Sequence, residues 1–176
     1  GIISFSAMRN NDKVGLMLFS DRIEKFVHPK KGKNHILRII TDILKHTPAS
    51  PGTDISGALE YLNRSLRKRA VIFMLSDFLS SGYENVFRIT ARKNDLVCMR
   101  ISDPFEAELP KFGTFRFRDL ETGQAFAFSP RRPSGAGEIS KRREEYISYL
   151  NGLAKKSKVD MIELETGRPY IMPLIR

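Results

Sequence analysis

The chain has 176 residues, 41% hydrophobic and 28% charged, which is enough to bury a core and too apolar for a disordered chain. It has no apolar run of about 18 residues, which excludes a transmembrane helix of ordinary length, and no basic-then-apolar start of secretory type. The net charge of +10 raises the question of an acidic partner.

Residues 9–12 (RNND) are turn-like, and residues 14–20 (VGLMLFS) read as a buried strand. Residues 22–28 (RIEKFVH) alternate and read as a short edge strand stopped by Pro29. Residues 34–46 place Ile36, Leu37, Ile40, Ile43 and Leu44 on one helical face. The loop TPASPG follows, then a second amphipathic helix with Ile55, Ala58, Leu59, Leu62 and Leu66 turned inward. Next come a buried strand over 71–75, a helix over about 83–93 and a strand over 95–101. Strands separated by helices predict a doubly wound α/β fold, its sheet mostly parallel and covered on both faces.

Residues 114–119 (TFRFRD) and 124–128 (QAFAF) break that rhythm. Each alternates, and residues 121–123 turn between them, so a β-hairpin is inserted at about 112–130. Residues 130–137 (PRRPSGAG) read as a linker. A helix over about 138–157 then buries Tyr146, Ile147, Leu150 and Leu153, and residues 159–164 form the last strand. No internal repeat is found, and the whole of 1–176 reads as one domain.

The basic residues come in small groups: Lys30, Lys31 and Lys33; Arg67, Lys68 and Arg69; Lys141, Arg142 and Arg143; Lys155, Lys156 and Lys158. Residues 130–158 hold eight basic and three acidic side chains, the most lopsided stretch of the chain. Most of these groups lie on or beside predicted helices, and no aromatic-interleaved strand of the kind that stacks bases accompanies them. They read first as solvated helix faces and second as a surface for an acidic protein, lipid or nucleic acid. His28, His35 and His46 lack zinc-ligand spacing, and the lone Cys98 forms no internal disulfide, which fits a reducing cytoplasm.

Two loops could hold chemistry. In an open parallel sheet, ligands gather beyond the carboxyl ends of the strands. Asp77 lies there, after the apolar run ending at Leu75 and Ser76. A carboxylate beside a core needs a cation, a hydrogen-bond donor or water. The loop PGTDIS precedes a helix and can lie on a sheet rim too, so Thr53 and Asp77 would together suit a hard divalent cation such as Mg²⁺. Each also has a plainer role. Thr53 or Asp54 can cap the helix, and Asp77 can accept donors from its own loop, with Ser76, Ser80 and Ser81 near.

The order RNNDKVGLMLFSD, KGKNHILRIITDIL, SPGTDISGALEYL, RAVIFMLSDFLSS resembles a von Willebrand factor A-type domain. More narrowly, it resembles a bacterial family of unknown function encoded beside MoxR-type AAA+ ATPases, over nearly the whole chain and including the hairpin. Adhesion sites of such domains use a DxSxS loop, a threonine loop and an aspartate after the fourth strand. Thr53 in GTDIS matches the second and Asp77 in LSDF the third. The resemblance implies that both face one Mg²⁺ or Mn²⁺, with a partner's carboxylate completing the shell. No DxSxS occurs in these residues. Ser4-Phe5-Ser6 falls where the resembling domains end their first helix, and Phe78 stands where adhesive domains commonly have glycine.

The resemblance therefore implies a partial domain whose first strand and metal loop lie upstream, with weak or no metal binding by these residues alone. That strand would sit between those at 14–20 and 71–75. Both are apolar throughout, so both would expect neighbours and two covered faces. The function implied is a non-enzymatic, metal-dependent protein-binding module acting with a MoxR-type ATPase on an unidentified client. The alternatives are a Mg²⁺-dependent hydrolase, for which the chain lacks a DxD pair and a Walker lysine, and a basic nucleic-acid-binding domain.

Overall fold

The computed structural model describes residues 2–104, 115–118, 125–128 and 136–169. Its elements are α1 (Ile2–Arg9), β1 (Val14–Phe19), β2 (Ile23–Lys30), α2 (Lys33–Lys45), α3 (Ile55–Ser65) and β3 (Val71–Ser76), then α4 (Glu84–Lys93), β4 (Asp95–Ser102), β5 (Phe115–Arg118), β6 (Ala125–Phe128), α5 (Ala136–Ser157) and β7 (Asp160–Glu165). The described strands fall into three sheets, β1-β2, β3-β4-β7 and β5-β6. The fold is mixed α/β, with a parallel three-stranded sheet, and is compatible with a Rossmann-like architecture. All four apolar stretches expected as sheet strands are strands. The chain divides into two compact units, Gly1–Ala58 and Leu59–Arg176.

In the first unit β1 and β2 pair antiparallel, with Leu16 opposite Val27 and Met17 opposite Phe26. The expected stop at Pro29 is overturned, because β2 runs on to Lys30. A register shift between Val14 and Leu16 explains the tolerance. A β-carbon at Gly15 would come 3.0 Å from Pro29 Cγ and 3.0 Å from the Val27 carbonyl, so glycine lets the ring pack there without displacing its neighbours.

Helix α2 buries Ile36 and Ile39, while Leu37, Ile43 and Leu44 are exposed. The predicted face was therefore rotated. The run ILRIITDIL offers two overlapping apolar stripes, and packing on α1 and β1 selects the one through Ile39. A His35 ring nitrogen within 2.8 Å of the Val14 carbonyl and the 2.6 Å Lys25–Asp42 ion pair fix α2 to the hairpin. In α3, Ile55, Ala58, Leu59 and Leu62 are buried as their spacing predicts.

In the second unit β3, β4 and β7 run in parallel, with Met74 opposite Cys98 and Cys98 opposite Met161. On one face Met74, Leu96, Cys98 and Arg100 are buried. Arg100 Nε donates to the Glu163 carboxylate at 2.8 and 3.0 Å, from the residue directly opposite on β7. Burial pushes the Cys98 thiol up to about 12, so it is inert as a nucleophile. On the other face of β3, Val71, Phe73 and Leu75 are 59%, 40% and 51% exposed. This corrects the expectation of two covered faces. β3 is an edge strand of its sheet, and an apolar run reads the same there as in a sheet centre.

Helix α4 packs on β4 and buries Val86, Phe87 and Thr90; α5 packs on α4 and β7 and buries Leu150, Leu153 and Ala154, leaving Tyr146 and Ile147 half-buried. The hairpin is present, Phe115 opposite Phe128 and Arg118 opposite Ala125. The rest of 112–130 and the linker over 130–135 lie outside the described residues, and α5 begins at Ala136 rather than 138. No described helix is long and apolar enough to cross a membrane.

Candidate functional site

The Thr53 loop belongs to the first unit, where the turn after β1 anchors it. The Asp54 backbone N–H donates to the Ser20 carbonyl at 2.8 Å, and Ser50 Oγ donates to Asp21 Oδ2 at 2.8 Å. Glu24 accepts from Ser20 Oγ at 2.6 Å and from the Ala49 N–H at 3.0 Å. Asp54 caps α3: its Oδ1 accepts the Gly57 N–H at 2.9 Å. A β-carbon at Gly57 would sit 2.4 Å from Asp54 Oδ2, so the glycine makes room for the cap. Thr53 itself is half-buried.

These anchors are carboxylates, so they respond to acid. The Arg22 guanidinium, then the Ser50 hydroxyl, hold Asp21 down at about 2 from an ordinary 3.8. Ser20, then the Ala49 amide, lower Glu24. A carboxylate with a depressed folded value stabilises fully above its unfolded value, and that stability is lost as pH falls through the folded one. Amide-exchange protection at Asp54 should therefore hold at neutral pH and fall as pH drops from about 4 toward 2. Unchanged protection across that window would show that Asp21 and Glu24 do not anchor the loop.

The Asp77 loop belongs to the second unit, at the carboxyl end of β3. Asp77 is exposed, and Phe78, directly after it, is fully buried. Phe78 has φ of +63°, the left-handed region that L side chains rarely adopt. Hydrogen bonds on every side hold it there. Its N–H donates to Ser76 Oγ at 3.0 Å, its carbonyl accepts the Ser80 N–H at 2.7 Å, and the Tyr146 hydroxyl on α5 donates to the same carbonyl. Asp77 Oδ1 accepts the Leu79 N–H at 3.1 Å and lies 3.4 Å from Ser76 Oγ. The plainer role expected of Asp77, accepting donors from its own loop, is thus present.

The same rim carries a second Ser-Asp step that sequence reasoning passed over. Ser102 and Asp103 end β4 as Ser76 and Asp77 end β3, and Thr166 Oγ1, just past β7, donates to Asp103 Oδ2 at 2.8 Å. The signal was available, since ISD at 101–103 repeats LSD at 75–77.

As donors, an exposed carboxylate and hydroxyl oxygens match Mg²⁺ or Mn²⁺ in kind. No group of three or more His, Cys, Asp or Glu that could hold a metal occurs among the described residues. Asp54, moreover, is committed to its cap.

A family described as "Protein of unknown function DUF58" matches residues 1–144. The chain is 23% identical to the uncharacterized protein Rv1480 of Mycobacterium tuberculosis over 181 residues, covering 99% of this chain and 56% of that protein. The uncharacterized protein Mb1516 of Mycobacterium bovis matches to the same extent. The uncharacterized protein MAV169 of Mycobacterium avium is 26% identical over 152 residues, covering 84% of this chain and 89% of its own length. The chain thus spans about half the length of Rv1480 and Mb1516. No solved structure matches it. With its match covering most of the residues, the chain belongs to the DUF58 family of proteins of unknown function.

Proposed function

We propose that the chain is part of a metal-dependent protein-binding module of von Willebrand factor A type, without catalytic activity of its own. It works in the cytoplasm with a MoxR-type AAA+ ATPase to assemble or remodel a client protein. The supporting observation is the Asp77 loop: an exposed carboxylate at the carboxyl rim of a parallel sheet, carried by a buried residue with positive φ. A backbone held so firmly in a sparsely populated region is a mark of functional loops. In this reading Asp77 holds a Mg²⁺ or Mn²⁺, directly or through water, and Thr53 is the second candidate ligand. When bound, the ion offers an open position to a partner's carboxylate. The protein's residues supply the rest: Phe78 and Tyr146 set the height of Asp77, and Ser20, Asp21 and Glu24 set the loop of Thr53.

A chain extended to the length of its relatives, immobilised, should retain a MoxR-type AAA+ ATPase in Mg²⁺ buffer and release it in a chelator. Retention that the chelator leaves unchanged would overturn metal dependence. Mg²⁺-dependent phosphatase turnover would favour the hydrolase reading instead.

A further inference from the structure

At the opposite end of the same sheet, the amino rim of the second unit holds a cavity of about 250 Å³. Asn63, Arg67, Lys68, Arg69, Lys93 and Asn94 line it, and no acidic residue does. It lies where α3 gives way to β3 and α4 to β4. Lys93 alone has the common explanation of a cation in the last turn of a helix, because Arg67, Lys68 and Arg69 come after α3 has ended. Arg22, Lys25, Arg38, Arg64, Arg100, Lys141 and Arg168 each pair with a carboxylate. The four cations of this cavity have no such pair among the described residues, and Asp95, the next residue after Asn94, pairs with none of them.

Two oriented amides stand at the cavity, Asn94 buried and Asn63 half-buried, with Thr90 behind them. Asn94 is 4% exposed and Thr90 0%. Asn94 Oδ1 accepts the Ala70 N–H at 3.2 Å, and its backbone N–H donates to the Thr90 carbonyl at 2.9 Å. Thr90 Oγ1 gives its only proton to the Val86 carbonyl at 2.8 Å, so the Asn63 amide must turn Nδ2 toward it, at 2.7 Å. Asn63 Oδ1 is left buried with no partner among the described residues.

We propose that this cavity binds a phosphate group. Arginine forks match phosphate oxygens in pairs, and lysines add point charge. A phosphate group brings the anionic oxygens that the four cations require. The volume suits a single such group rather than a nucleic-acid backbone, which binds along an extended groove.

Inorganic phosphate titrated into the chain, followed by calorimetry and amide shifts, tests this, with sodium chloride at matched ionic strength as the control. Phosphate should bind saturably and move the amides of residues 63–70 and 93–94, and chloride should do neither. The exposed pair Arg69→Ala with Lys93→Ala should weaken phosphate about tenfold or more, with an unchanged unfolding midpoint. No saturable binding, binding that the double variant retains, or the same shifts with chloride alone would each overturn the proposal. Oligothymidylate and phosphatidylglycerol vesicles separate the sources of the phosphate. Displacement of either by inorganic phosphate supports a phosphate site, and binding of either that phosphate leaves intact overturns it.

Discussion

Replacing Phe78 by alanine should lower stability by about 3–4 kcal/mol, and replacing it by glycine should lower it by about 1 kcal/mol less. The first figure reflects a large aromatic ring, fully buried, removed from a site whose surroundings relax only partly. The second reflects backbone conformation. At a φ of +63° alanine keeps the clash between β-carbon and carbonyl that glycine escapes. Over most of a protein alanine is the milder substitution, so the inverted order is diagnostic. Denaturant midpoints of the three proteins measure it. Alanine as mild as glycine would show that the left-handed turn after Asp77 is not held in solution. This chain keeps the conformation with a phenylalanine by burying the ring and bonding its carbonyl twice, from Ser80 and from Tyr146.

The position of these bonds explains what the sequence could disclose. The strands at residues 71–76, 95–102 and 160–165 announce themselves as short apolar runs between helical patterns, and their parallel order follows. The exposure of Val71, Phe73 and Leu75 was not legible, because an apolar run does not say how many neighbours it has. Nor was the burial of Ile39 over Leu37, which depends on where α2 lands on β1. Asp77 could be placed on a rim from its position after Leu75 and Ser76. The clamp on it could not, since Tyr146 lies 68 residues further along the chain. Thr53 and Asp54 were equal candidates for the cap of α3, and side-chain reach to Gly57 settled it for Asp54. The cations after α3 read as a solvated face until Asn63 and Asn94 placed them around one cavity.

The largest expected effect on function is at Asp77. It is exposed, and if it supplies the carboxylate of a cation site, its loss removes both charge and a ligand oxygen. Loss of a supporting partner alone typically costs a metal site about 10–100-fold in affinity, so loss of the ligand itself should cost at least that. Asp77→Ala should leave the fold intact, since the loop's backbone is also held through Ser76 and Tyr146. The decisive measurement is calorimetric titration of Mg²⁺ into three proteins: these 176 residues, a chain extended to the length of its relatives, and that longer chain carrying Asp77→Ala. The account predicts weak or no binding by the first, saturable binding by the second, and its loss in the third. Tight Mg²⁺ binding by the 176 residues alone, or binding in the longer chain that Asp77→Ala leaves unchanged, would contradict it.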